Sequence, residues 1–285
     1  MPRTPMMTLS GQLKKALGLS RRKARIEYEQ ALVEGPQAVR EALAEMPNQV
    51  RDVYVTEPAL ERYPDIDELL IHVDPYTHVL PCELSEQHAP NAQGIFAVIS
   101  IPDEEELDVV FARSQLLVCM VEGSDPGNVG TIIRSADAAG AGGVILGSGS
   151  VDATNPKVLR STAGSYFHLP IIEDEDVSQV VDRAKLADFQ VLIADGDGEY
   201  DLATLSDQAL LSSQEHNPLA DIDLRRPTLW LVGNEAHGFT PQQLAWADAR
   251  VRIPMWGKSE SLNVAMATGL CLYASAQAQN RNTAC

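Results

Sequence analysis

Short apolar runs closed by turns, each followed by a stretch of helical spacing, recur along the chain. In the first third, Ala31–Glu34 reads as a strand. Gly35-Pro36 then opens a helix over Gln37–Glu45, with proline in the first turn as helices prefer. Val50–Thr56 alternates as a half-buried strand does, and Ile95–Ile101 is a second clear strand. The pattern predicts a small α/β domain over residues 11–103. Residues 1–10 read as a disordered tail, 11–25 as a short basic helix, and the acidic stretch Asp103–Asp108 as a linker.

Over residues 113–285 the strands become more apolar. Gln115–Val121 is an uninterrupted run of the kind buried in a parallel sheet. Helix Val129–Ala139 follows, then strand Gly143–Leu146, and then helices Pro156–Thr162 and Val177–Leu186. Strands Phe189–Ala194 and Thr228–Val232, a helix at Pro241–Trp246, strand Val251–Pro254 and a long helix over Ser261–Gln279 complete the chain. Strands alternating with helices predict a second α/β domain, built on a mostly parallel sheet with helices on both faces. The polar stretch Leu205–Arg226 reads as an insertion whose role stays open.

Composition narrows the classes. No apolar run approaches the roughly 20 residues that span a bilayer, and the basic N-terminus lacks the apolar core of a signal peptide. Cys82, Cys119, Cys271 and Cys285 are far apart and form no CxxC pair. That argues against a disulfide framework or a zinc site and for a reduced, cytoplasmic setting. The net charge of −18 argues against a nucleic-acid partner, because phosphate contacts come from Lys and Arg. Its distribution softens the objection. Residues 1–26 carry Arg3, Lys14, Lys15, Arg21, Arg22, Lys23 and Arg25 and no acid. Two readings of this arm stay open, RNA contact or a solvated tail.

Three stretches carry candidate chemistry. Asp125-Pro-Gly-Asn128 is a strong turn between a buried strand and a helix, so it sits at the carboxyl edge of the sheet, where open α/β sheets bind ligands. Asn128 there caps the helix or contacts substrate. Arg134, six residues on, offers a rigid fork of donors suited to phosphate or is a plain surface arginine. In Leu231–Gly238, Gly233 permits close backbone approach to a ligand. Glu235 is a site carboxylate or a helix-capping acid, and His237 reads as a loop residue rather than a base. In Ile253–Val264, Ser259, Ser261 and Asn263 crowd the start of the last helix, where they satisfy orphan N–H groups or face an anion. Beyond them Ala265, Met266, Gly269, Leu270, Tyr273 and Ala276 form a stripe, explained by packing in this chain or against a partner.

Other glycine-rich readings fail. The phosphate-loop pattern is absent, and Gly140-Ala-Gly142-Gly143 lacks the third glycine of the dinucleotide fingerprint. Asp195–Asp201 has Tyr200 where a calcium loop needs glycine. It reads as a turn bordering a cofactor site.

In this order and placement, the three stretches resemble the motifs of the SpoU (TrmH-like) RNA ribose 2′-O-methyltransferases, over roughly residues 115–280. Residues 11–100 more weakly resemble the ribosomal-protein-like RNA-binding domain attached to ribosomal RNA members, through Leu32-Val-Glu-Gly35 before a helix. The resemblance implies an α/β fold with a C-terminal trefoil knot, a homodimer, S-adenosylmethionine as cofactor and no metal. It implies structured RNA as substrate, with 23S ribosomal RNA first and transfer RNA second, and neither DNA nor membrane as a partner. Carried over by position, it places Arg134, Asn128, Glu235, Ser261 and Asn263 in the active site. Gly233, Ile253, Leu262, Val232 and Met255 fall at the cofactor. Ala265 departs from the serine many members carry there. The resemblance implies a base at Arg134, as the family is often described. Guanidinium resists deprotonation, so the residue itself reads rather as holding RNA backbone beside the reacting ribose, and both roles stay open. A non-catalytic RNA-binding or ribosome-assembly factor, a small-molecule methyltransferase and an antibiotic-resistance methylase stand as alternatives.

Overall fold

The computed structural model describes residues 3–211, 222–233 and 238–280. The chain divides into two compact units, one of residues 1–103 and 152–168, the other of 104–151 and 169–285.

The first unit is built on a five-stranded mixed sheet. Its strands are β1 (Thr4–Pro5), β2 (Gln30–Glu34), β3 (Val50–Val55), β4 (Tyr76–Val79) and β5 (Ile95–Ser100), in the order β1-β4-β3-β5-β2. The apolar run of β5 lies inside the sheet, pairing antiparallel with the central strand β3 and with the edge strand β2. The tail is shorter than the sequence suggests. Thr4–Pro5 pair parallel with His78–Val79, and the Ser10 side chain caps the next helix by accepting from Leu13 N. Residues 11–25 are not one helix but parts of two, Gly11–Gly18 and Arg22–Tyr28. Of the basic arm, Arg25 is 2 % exposed. It donates to the carbonyls of Leu19 (2.9 Å) and Ser20 (3.1 Å) and to Asp152 Oδ2 (2.6 Å).

Residues 152–168 correct the expected boundary. Strand–helix alternation places helix Pro156–Thr162 in the second domain, yet it packs within the first unit. Polar contacts explain why. Arg160 Nη1 donates to Glu34 Oε2 at 2.6 Å, and His168 Nε2 lies 3.3 Å from Glu41 Oε2. Burial raises the Glu34 carboxyl above the usual range, against the pull of Arg160. A short helix with one apolar face shows only that it must pack, not on what.

The second unit carries a seven-stranded sheet. Its strands are β6 (Leu116–Met120), β7 (Val144–Gly147), β8 (Ile171–Glu175), β9 (Gln190–Ala194), β10 (Tyr200–Asp201), β11 (Thr228–Val232) and β12 (Ala249–Arg252). They run β10-β12-β9-β11-β6-β7-β8, and every recorded pairing is parallel. The central strands β6 and β11 are buried along their whole length, as parallel strands covered on both faces must be. Trp230 on β11 is fully buried and donates its indole N–H to Ser275 Oγ at 3.0 Å. Cys119 and Cys271 are buried too, which pushes both thiols up to about 12 and keeps them protonated at neutral pH. Among the described residues, no helix is long and apolar enough to cross a membrane. The expected linker is shorter than Asp103–Asp108, because a helix starts at Leu107.

Candidate active site

The chain runs from β6 through the helix Pro126–Ala138 to β7 on one side. From β11 it passes beyond β9 to β12 on the other. Such a reversal opens a crevice outside the carboxyl ends of the strands, the usual ligand position in open α/β sheets. A cavity of about 490 Å³ lies there. It is lined by Ala194 at the end of β9 with Asp195 and Gly196 beyond it, by Gly233 after β11, and by Ile253 and Met255 after β12. Glu260 to Val264, with Ala267, supply the wall at the start of the last helix, and Gly238 and Phe239 close the remaining side. A larger open hollow of about 760 Å³, around Phe111, Leu186 and Phe189, contains no residue of the three motifs. The smaller cavity, on which residues of the second and third motifs converge, is the candidate site.

Local chemistry explains the positions. Asp125 caps the helix Pro126–Ala138, accepting from Asn128 N at 2.9 Å, with Pro126 in the first turn. Val129, Ile132, Ile133 and Ala136 bury one face of that helix. Asn263 heads the last helix, its Oδ1 accepting from Ala265 N (3.0 Å) and Met266 N (3.3 Å). Its Nδ2 is thereby left as the outward donor and gives its hydrogen to Asn128 Oδ1 at 3.0 Å. One hydrogen bond thus joins the first motif to the third across 135 residues. Ser261 lies beside it, its carbonyl accepting from Ser259 Oγ at 2.8 Å.

The other expected site residues divide. Gly233, Ile253, Met255 and Leu262 line the cavity with Ser261 and Asn263. Val232 does not, because it is spent inside the sheet as a buried partner of Met120. Its carbonyl accepts from Val121 N at 3.0 Å. Arg134 is exposed, and no described residue bonds to it. Glu235 and His237 lie outside the described residues. The turn at Asp195-Gly196 does border the cavity, as its sequence suggested. Phe239 and Ala267 were not anticipated. Phe239 sits between a glycine and a helix cap, with no periodicity to mark it. A Cβ on Gly233 would meet the Phe239 ring at 2.9 Å and the Gly238 carbonyl at 3.2 Å, so this turn closes tightly only around glycine.

The SpoU rRNA Methylase family matches residues 115–273. The chain belongs to that family. It is 33 % identical over 260 residues to the 23S rRNA (guanosine(2553)-2′-O)-methyltransferase RlmP of Bacillus subtilis, covering 90 % of this chain and 92 % of that protein. Among solved structures it is similar to the AdoMet-bound rRNA methyltransferase from Sinorhizobium meliloti. That match has a TM-score of 0.77 at 25 % identity and covers 96 % of this chain and 97 % of the other. The SpoU methyltransferase AviRb from Streptomyces viridochromogenes, in complex with AdoMet, matches at a TM-score of 0.76 and 28 % identity, over 94 % and 98 % of the two chains. For this SpoU member, the matched region contains both asparagines of the bridging hydrogen bond.

Proposed function

We propose that this chain methylates a ribose 2′-hydroxyl of 23S ribosomal RNA, using S-adenosylmethionine bound in the cavity at the ends of β9, β11 and β12. The observation that carries the reading is the Asn263–Asn128 hydrogen bond, which fixes the first motif at the mouth of a cavity walled by the second and third. A cavity of about 490 Å³ is of the size that takes a cofactor. Its wall suits the ligand, with close-approaching backbone at Gly233, a helix N-terminus and apolar Ile253, Leu262 and Met255. When bound, the cofactor supplies an electrophilic methyl group.

The residues of the chain then have positional work. Asn128 and Asn263 hold the two helix starts in register. Ser261 shapes the wall beside them. Arg134 lies six residues along the helix from Asn128, about 9 Å by the rise of an α-helix. It binds the RNA phosphate beside the reacting ribose, and an oxygen of that phosphate takes the 2′ proton, because guanidinium cannot act as base. Holding acceptor and methyl group in line accounts for much of the rate.

The same reading includes partners. Lys14, Lys15, Arg21, Arg22 and Lys23 are exposed on an otherwise acidic chain, a local field for RNA phosphate. Arg25 is withdrawn from that set by its burial. On the last helix, Met266, Leu270 and Tyr273 are 59 %, 43 % and 46 % exposed. The expected stripe is therefore split. Its small residues Ala265 and Ala276 are buried, whereas its large ones face outward and suit a second copy of the chain. The setting is the cytoplasm, where ribosomal RNA is modified.

The deciding experiment maps ribose methylation in total RNA from cells with and without the protein. Loss of one 23S site supports the reading; an unchanged map in ribosomal RNA overturns it, and a lost transfer RNA site would redirect it. A sharper expectation concerns Gly233→Ala. The added methyl must displace the Phe239 ring or the Gly238 carbonyl. S-adenosylmethionine affinity by calorimetry should fall about tenfold or more, the equivalent of some 1.4 kcal/mol. Unchanged affinity would remove the cofactor from this turn.

A further inference from the structure

Trp256 stands apart from the two other tryptophans of the chain. Trp230 is fully buried and Trp246 packs partly buried against the core, whereas Trp256 is 88 % exposed. Among the described residues, no ring and no hydrogen-bond partner engages it. It lies in the turn between β12 and the last helix, flanked in sequence by residues of the cavity wall, Met255 before it and Glu260 and Ser261 after it. Gly257 follows, with nothing within 4 Å of the position its Cβ would take, and then the exposed cation Lys258. An indole left in water beside a ligand cavity, with a cation two residues away, has the makings of an aromatic recognition surface.

We propose that Trp256 is a stacking platform for an unpaired base of the RNA, next to the ribose presented at the cavity. The inference rests on the functional reading above and assigns a positioning residue for that same site. A nucleotide whose ribose enters a cavity at a sheet edge must leave its stack, and its base then loses its stacked neighbours. The free face of an indole restores that contact for any base, because every base has a π-face. Lys258 serves the adjacent phosphate as a point charge. The outward large residues of the last helix, Met266, Leu270 and Tyr273, form a separate surface, so a second copy of the chain does not require this loop.

The test uses the full chain, an in vitro transcript of 23S ribosomal RNA and a labelled methyl donor. Trp256→Ala is expected to raise KM for the RNA about tenfold or more, in line with the loss of one stacked base. The kcat and the affinity for S-adenosylmethionine should stay within about twofold, and Trp256→Phe should recover most of the loss because it keeps an aromatic face. In the unaltered protein, RNA should quench tryptophan emission, and Trp256→Phe should remove that quenching. A KM in Trp256→Ala equal to that of the unaltered protein overturns the proposal. So does a change in its sedimentation, which would assign the indole to a second copy. If the unaltered protein methylates no ribosomal RNA, the functional reading fails; RNA-dependent quenching lost in Trp256→Phe would still support the stacking contact.

Discussion

Arg134→Ala is expected to abolish most methyl transfer while leaving the protein folded and its cofactor bound. The side chain is exposed and no described residue bonds to it, so its removal opens no cavity and strands no partner among them. Its backbone is secured by the opposite face of the same helix, where Val129, Ile132, Ile133 and Ala136 are buried. Placing a proton acceptor in the transition state contributes about a hundredfold to ten-thousandfold. Single-turnover transfer should therefore slow by about a hundredfold or more. Calorimetry should show an unchanged cofactor affinity, because Arg134 does not line the cavity. Arg134→Lys keeps the charge but loses the fork, and should recover only part of the rate. A rate within about threefold of the unaltered enzyme would remove Arg134 from the reaction, since general catalysis is worth far more.

Arg25→Ala should cause the largest loss of stability in the first unit. The guanidinium is buried at 2 % exposure and holds Asp152 at 2.6 Å, as well as the carbonyls of Leu19 and Ser20. Deleting it leaves a mostly buried carboxylate whose nearest cation is Arg22, 3.7 Å away and largely exposed, with the Thr154 hydroxyl donating to its other oxygen at 2.7 Å. Removing one partner of a buried pair costs about 3 kcal/mol, more than the pair itself contributes. The measurement is urea unfolding followed by two probes. Residues 1–103 and 152–168 contain no tryptophan, so Trp emission reports the second unit and far-ultraviolet circular dichroism reports both. The dichroism midpoint should fall while the Trp transition moves less, separating two curves. Asp152→Asn added to Arg25→Ala should return part of the loss, because no charge is then stranded. Coincident and unshifted curves would show that the pair is not needed.

These expectations differ in how far the sequence could carry them. Strands β6 and β11 were readable because a parallel strand covered on both faces must be apolar throughout. The helix Pro126–Ala138 was readable because Asp125 and Pro126 announce its start. Strand β1 was not, since two residues at a sheet edge carry no period, and β4 is only four residues long, between Pro75 and Pro81. Local patterns also do not say which unit a helix will join; Pro156–Thr162 was recognised as a helix and assigned to the wrong one. At the site, glycine and helix-start residues were legible from turn chemistry. Val232 was not separable from Gly233, because adjacent residues at the end of a strand point to opposite faces. Burial of Arg25 was illegible too. A basic run looks uniform until one member finds an acid 127 residues away.

The excursion of residues 152–168 also bears on how the protein is made. The first unit cannot be completed when residue 103 leaves the ribosome, because Asp152, Arg160 and His168 have not yet been synthesised. At about 5–20 residues per second, its sheet waits several seconds for its last helix, while β6 and β7 emerge in the interval. Strands of one unit thus appear before the other can close. A nascent chain arrested between residues 103 and 151 should accordingly be more open to protease in its first unit than one arrested after 168.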